Sequence, residues 1–186
     1  MAEPGAAIVY FPNVQRRILG RIGREILGSD LGKEYNRSKE ALGKLGKRKW
    51  VTKDLNKLRK AIADGKERAI IIVGHGAEPD DMEHHGLIGG GEGRSVLAPQ
   101  SALNIARNMV QIMDDTLYEI DNIWLWVCFS CDNEVGNEFV RGLGEFKRRI
   151  TVYGHTGLVG QIDEFMKSGH CQGCDDFEKI SVPRGA

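Results

Sequence analysis

Two short apolar runs, Ala69-Ile-Ile-Ile-Val73 and Ile123-Trp-Leu-Trp-Val127, limit what this chain can fold into. Each is built mainly from β-branched or aromatic residues and is bounded by polar or glycine-rich sequence, which is the pattern of a strand buried on both faces of a parallel sheet. Each also runs into a chemically capable residue, the first into Gly74-His75-Gly76 and the second into Cys128. Open parallel sheets present ligands and chemistry at the carboxyl ends of their strands. A base and a thiol far apart in sequence are therefore expected to meet at one edge.

The surrounding pattern extends this to an α/β fold. Ala6–Phe11, stopped by Pro12, reads as a first strand or short edge. Apolar residues Val14, Ile18, Ile22 and Ile26 recur every four positions and predict an amphipathic helix over 14–27. Glycines at 28, 32, 43 and 46 predict a loop with a weak helix over 28–50. Thr52 is expected to cap a helix over 54–63. Ser101–Met113 reads as a helix with Leu103, Ala106, Val110 and Met113 on one face, and Asn133–Arg149 as a helix broken by glycines. Ile150–Tyr153 is a further strand, and 160–186 a tail with a short helix. Strands alternating with helices imply right-handed crossovers, giving a three-layer αβα domain with a mostly parallel sheet. At 186 residues, 41% of them hydrophobic, one domain is expected. Within it, 1–68 forms a basic, mainly helical part, 69–158 the core that carries the chemistry, and 159–186 the tail.

The net charge of zero conceals an asymmetry. Residues 14–68 carry 17 Lys/Arg against 7 Asp/Glu, and the rest of the chain has the opposite balance. Such a segment either receives an anionic partner or packs against the acidic part of its own chain. No apolar run reaches the roughly 20 residues of a membrane span, and the N-terminus lacks the basic-then-apolar pattern of a cleaved signal. The expectation is a cytoplasmic protein, or one exported without such a signal.

A thiol with an ordinary pKa near 8.5 is mostly protonated at neutral pH, so a nucleophilic cysteine needs a base beside it. His75 is expected to be that base for Cys128. Gly76, without a side chain, lets a substrate approach the backbone, and its N–H with that of Cys128 forms the expected oxyanion hole. Asp132 and Glu134, just past the thiol, are candidates for contact with a basic substrate residue, although a helix dipole explains them equally. His155, at the end of another strand, is a third candidate for lining the same cleft.

The halves Ile70-Ile-Ile-Val-Gly-His75-Gly76 and Ile123-Trp-Leu-Trp-Val-Cys128 resemble the caspase-like cysteine peptidases. That group includes caspases, metacaspases, legumain, gingipains, separase and the self-cleaving protease domains of large bacterial toxins. Their shared pattern is an apolar strand ending in His-Gly and a later apolar strand ending in the nucleophile. Gly86-Leu-Ile-Gly-Gly-Gly, Ser95-Val-Leu-Ala-Pro and the helix from Ser101 look like the segment between the catalytic strands of the toxin members, so the resemblance covers roughly 69–158. It implies a caspase-like fold and hydrolysis of a peptide or protein substrate without a cofactor. It also implies self-processing, delivery into a host cell as a toxin or effector, and a polyanion activator, for which 14–68 is the expected receptor.

The cysteines support a different reading as well. Cys128/Cys131 and Cys171/Cys174 form two Cys-x-x-Cys pairs, a spacing that suits tetrahedral zinc. A non-catalytic zinc-stabilised module binding an anionic partner is therefore the alternative to the peptidase. In a chain of this size reduced thiols are expected over disulfides. Cys128 is preferred to Cys131 as nucleophile because it directly terminates its strand. The adjacent His84 and His85 point apart in any extended segment and read as part of a solvated acidic loop. His170 reads as a tail residue or part of the alternative zinc site. A deaminase-type zinc site fails because Glu78 lies one position too far from His75. Gly89-Gly-Gly-Glu-Gly-Arg-Ser95 departs from a phosphate loop at its first glycine and its lysine, and reads as a flexible loop beside the substrate.

Overall fold

The computed structural model describes residues 7–12, 30–46, 51–64, 67–89, 100–117, 120–171, 173 and 175–180. The helix expected over 14–27 lies outside them. In chain order the elements are β1 (Ile8–Tyr10), α1 (Asp30–Lys44), β2 (Val51–Thr52), α2 (Leu55–Asp64), β3 (Ala69–Val73), β4 (Leu87–Ile88), β5 (Gln100–Ser101), α3 (Ala102–Thr116), β6 (Asn122–Trp126), α4 (Val135–Gly142), β7 (Thr151–His155), α5 (Ile162–Ser168) and β8 (Phe177–Lys179). Single 3₁₀ segments occupy Met82–His84 and Gly144–Arg148.

Six strands form one sheet in the order β2-β1-β3-β6-β7-β8. All neighbours are parallel except β7 and β8. Both faces are covered. Ile70, Ile72, Ile123 and Leu125 join a core with α2, α3 and α4. Ile71, Val73, Trp124 and Trp126 join a second core with α1 and α5. Alternate residues of a strand face opposite sides, so a strand buried on both faces is apolar throughout, as β3 is at every position and β6 is from Ile123 onward. Each fully buried Ile or Val side chain contributes about 1.5–3 kcal/mol, which makes the two central strands the strongest part of the fold. No helix among the described residues is long and apolar enough to cross a membrane.

Of the segments flanking this centre, β1 is the first strand, the former of the two alternatives, and lies inside the sheet between β2 and β3. The others depart from expectation. The region 28–50 contains a 15-residue helix, α1, because Leu31, Ser38, Ala41 and Leu42 make one buried stripe despite the glycines. Thr52 ends β2, opposite Tyr10, and so cannot cap the next helix. Its hydroxyl accepts from the Asp54 N–H (3.1 Å), and the Asp54 carboxylate accepts from the Lys57 N–H (3.0 Å), making Asp54 the cap. α3 buries Ala102, Ile105, Ala106, Met109, Ile112 and Met113, a face rotated from the expected one, with Leu103 and Val110 at its margin. The expected helix over 133–149 divides at Gly144, whose φ of +54° ends regular α-structure. In the last segment, α5 buries Ile162, Phe165 and Met166, and β8 pairs with β7 as the outer strand. Phe177 of β8 packs edge-on to Trp124, which stacks on Tyr153 at 3.9 Å.

Candidate active site

The pairing of β3 with β6 brings Val73 opposite Trp126. His75 and Cys128 each lie two residues beyond that pair, at the carboxyl edge of the sheet. They share the parity of Val73 and Trp126 and therefore point to the face covered by α1 and α5. Both line one cleft of about 270 Å³. Val73, Gly74 and Trp126 form its sheet side. Leu31, Glu34 and Arg37 of α1 form a second wall, and Val159, Gly160 and Gln161, before α5, a third.

The backbone around His75 is pinned. Its N–H donates to the Gly89 carbonyl (3.0 Å), and its carbonyl accepts from the Gly89 N–H (2.8 Å). The next residue, Gly76, is required for a reason other than substrate approach. A Cβ there would overlap the Cys128 carbonyl oxygen and lie 2.8 Å from Val127 Cγ1. The loop after β3 thus rests directly on the loop after β6.

Cys128 is a free cysteine. Burial pushes its pKa up and the Glu34 carboxylate adds to this, while hydrogen bonds from the Val159 N–H and from its own N–H pull the other way without reversing it. The turn that follows is closely tied. Phe129 has φ +54° and donates its N–H to the Gly157 carbonyl (2.8 Å). The buried Ser130 hydroxyl accepts from the His155 N–H (2.8 Å). The buried Asn133 side chain donates to the Ala77 carbonyl (2.9 Å) and the Cys128 carbonyl (3.2 Å).

Three expected substrate contacts fall elsewhere. Asp132 and Glu134 are exposed and do not line the cleft. Glu134 sits at the N-cap of α4, where its carboxylate accepts from the Asn137 amide (3.2 Å). His155 is buried, with Nε2 donating to the Gly173 carbonyl (2.6 Å) and Nδ1 accepting from the Gly157 N–H (2.9 Å). Those partners require the neutral ring and commit both nitrogens, so His155 braces the loop before Val159 instead of meeting a substrate.

The chain matches no protein-family model and no curated protein.

The two thiols of the first pair have different surroundings. The Cys131 sulfur packs beside Gly154, Ile180 and Ser130, whereas Cys128 faces Glu34 and Val159. Burial, with Asp132 and Glu178, pushes the Cys131 thiol up to about 11. Cys128 and Cys131 are free, but Cys171 is in a disulfide, against the expectation of reduced thiols throughout, and so has no thiolate to offer zinc. Cys174 lies outside the described residues. Among the described residues no group of three or more His, Cys, Asp or Glu is arranged to hold a metal. His84 donates to the Asp81 carboxylate (3.0 Å), a bond that raises its pKa, and His85 Nε2 donates to the Pro79 carbonyl (3.0 Å).

Three basic residues of the segment are paired with acidic residues beyond it. Arg37 meets Asp163 (3.6 Å), Arg59 meets Asp115 (2.7 Å) and Arg68 meets Asp121 (2.7 Å), each pair joining 14–68 to the acidic remainder. The two exposed pairs, Arg59–Asp115 and Arg68–Asp121, contribute about 0–1 kcal/mol each, whereas the Asp163 carboxylate is buried. Lys47, Arg48 and Lys49, the densest basic run of the segment, lie outside the described residues, as does most of the glycine-rich loop.

Sequence reasoning missed the α1 wall, the 159–161 wall and Asn133. A signal existed for two of these. Residues 31, 34, 38 and 41 make a helical stripe that places Glu34 toward the sheet, and an Asn whose side chain bonds the backbone two residues on is a common turn former ahead of a helix. Gln161 and Val159 carried no signal, because a loop acquires its neighbours only through the fold.

Proposed function

We propose that this protein is a cysteine-dependent peptidase. The observation that carries the reading is that His75 and Cys128, from separate strands, line one cleft of a size suited to a substrate side chain and its peptide bond. The Cys128 sulfur attacks the scissile carbonyl carbon, and the thiol proton passes to His75. The carbonyl oxygen, now an oxyanion, is held by the N–H groups of Gly76 and Cys128. Collapse of this intermediate breaks the C–N bond as His75 gives its proton to the leaving amine, leaving a thioester on Cys128. Water, deprotonated by His75, then releases the acid and restores the thiol.

The raised thiol pKa fits this sequence of events better than a preformed thiolate would. The proton is transferred as attack proceeds, when a bound substrate has displaced water from the cleft. The Val159 N–H supports the same chemistry by stabilising negative charge on sulfur. The His-Gly and Cys termini on adjacent parallel strands fit the caspase-like group, which makes peptide-bond hydrolysis the reaction to test first.

The decisive experiment is labelling with a panel of electrophilic peptide probes, followed by mapping of the modified residue. Adduct at Cys128, abolished in His75→Ala, is the expected result. Labelling confined to Cys131, or no labelling by any peptide probe while iodoacetamide modifies Cys128, would refute the reading.

A further inference from the structure

The ladder between β3 and β6 ends at Val73 and Trp126, so it does not by itself set the spacing of the loops that carry His75 and Cys128. Asn133 joins those loops. Its side chain is fully buried, and its two amide hydrogens go one to each loop, to the Ala77 carbonyl and to the Cys128 carbonyl. Its Oδ1 accepts from the Val135 N–H (3.2 Å) at the start of α4. Its own N–H donates to Phe129 (3.0 Å), and its carbonyl accepts from the Gly86 N–H (2.8 Å). A flipped amide would set its oxygen against two carbonyl oxygens, so the partners fix the orientation.

We propose that Asn133 is a positioning residue that sets the alignment of His75 against Cys128 by clamping the two strand-end loops together. The assignment rests on the peptidase reading for its catalytic meaning, but its geometry stands apart from it. The bond to the Cys128 carbonyl holds the peptide group immediately after the nucleophile. The bond to Ala77 holds the chain two residues after the base. Gly76 lies between, with its missing side chain's place taken by the Cys128 carbonyl and Asn133 Nδ2. The loops are therefore in contact, and the clamp has no slack. Misplacing reacting groups by about 1 Å costs on the order of 10²-fold in rate, which is the scale expected when the clamp is lost.

The test compares Asn133→Ser and Asn133→Asp with Asn137→Ser, an exposed amide bonded only to Glu134. Asn133→Asp keeps the volume and the acceptor for Val135 but replaces the donor with an oxygen facing two carbonyls, so it remains informative if the serine variant unfolds. Two quantities are read on variants that retain cooperative unfolding. The first is inactivation by a peptide electrophile at saturation. The limiting rate should fall by at least about 10-fold with the half-saturating concentration unchanged, and Asn137→Ser should match wild type. The second is the NMR titration of the His75 ring with and without Cys128→Ala. In wild type, removal of the thiol should shift that titration; in the Asn133 variants the shift should vanish. A folded Asn133→Asp with wild-type limiting rate and intact coupling overturns the proposal, as does a wild type without coupling. If no peptide electrophile labels wild type but coupling is present there and lost in the variants, the peptidase reading falls and the clamp stands.

Discussion

Gly76→Ala tests whether the two strand-end loops are in contact. The added methyl would overlap the Cys128 carbonyl oxygen and lie 2.8 Å from Val127 Cγ1 and 2.9 Å from Asn133 Nδ2, where carbon contacts normally settle at about 3.5–4.0 Å. None of these neighbours is a flexible side-chain end: one is backbone, one a buried Val and one a side chain held by three hydrogen bonds. Relief requires the loops to part by about 1 Å, which costs roughly 1–3 kcal/mol as overpacking. Stretching the Asn133 bonds leaves buried carbonyls unsatisfied at about 1–3 kcal/mol more. A loss of about 3 kcal/mol corresponds to a fall in Tm of roughly 6–12 °C for a chain of this size. Gly144→Ala is the control, since its φ of +54° with nothing within 4 Å of a Cβ gives backbone strain without a clash. Thermal unfolding and peptide-probe labelling should both decline in Gly76→Ala, whereas Gly144→Ala should lose stability alone. A Gly76→Ala protein with wild-type Tm refutes the contact. Wild-type Tm with lost labelling would return Gly76 to the role expected from sequence, an opening for substrate.

Cys128→Ala should abolish peptide-probe labelling and hydrolysis while Cys131→Ala retains most of both, because only Cys128 lines the cleft with His75; mass spectrometry of the adducts decides this. His75→Ala should lower turnover by roughly 10²-fold or more with unfolding nearly unchanged, and equal losses in a His84 or His85 variant would move the base. Glu34→Gln should bring the Cys128 pKa down and speed iodoacetamide alkylation near neutral pH, as seen in the pH profile of the alkylation rate; an unchanged profile removes Glu34 from the site's electrostatics. Since Cys128 and Cys131 hold their protons more tightly when folded, the unfolded chain ionises first as pH rises past the ordinary thiol value of about 8.5. Stability should then fall from there toward about pH 11, where the Cys131 contribution has been lost. Denaturant midpoints should show a shallower fall in Cys131→Ser.

What the sequence determined alone was the centre of the sheet and which residues stand at its edge. β3, and β6 from Ile123 onward, are apolar at every position, a pattern that only burial on both faces satisfies, and the residues that terminate them follow from chain order. Parallel pairing then places His75 and Cys128 at the same edge, since the carboxyl ends of parallel strands coincide. The remainder of the site depends on contacts between segments whose local signals are weak. β2 and β8 have three residues or fewer, too short for periodicity to register, and each exists because a neighbouring strand supplies its hydrogen bonds, while β1 is legible as an apolar run but its place between β2 and β3 is not. α1 is polar on average and interrupted by glycine, and it is held by Leu31 and Leu42 packing on the sheet. Only that packing brings Glu34 to the thiol. His155 ends a strand just as His75 does, but the turn at Gly157 and the carbonyl of Gly173 take both its nitrogens, so two histidines with the same sequence signature have different roles. The place of the second thiol of this Cys-x-x-Cys is likewise a property of the turn at Phe129, whose left-handed backbone breaks the strand's alternation and carries Cys131 to β7, away from Cys128.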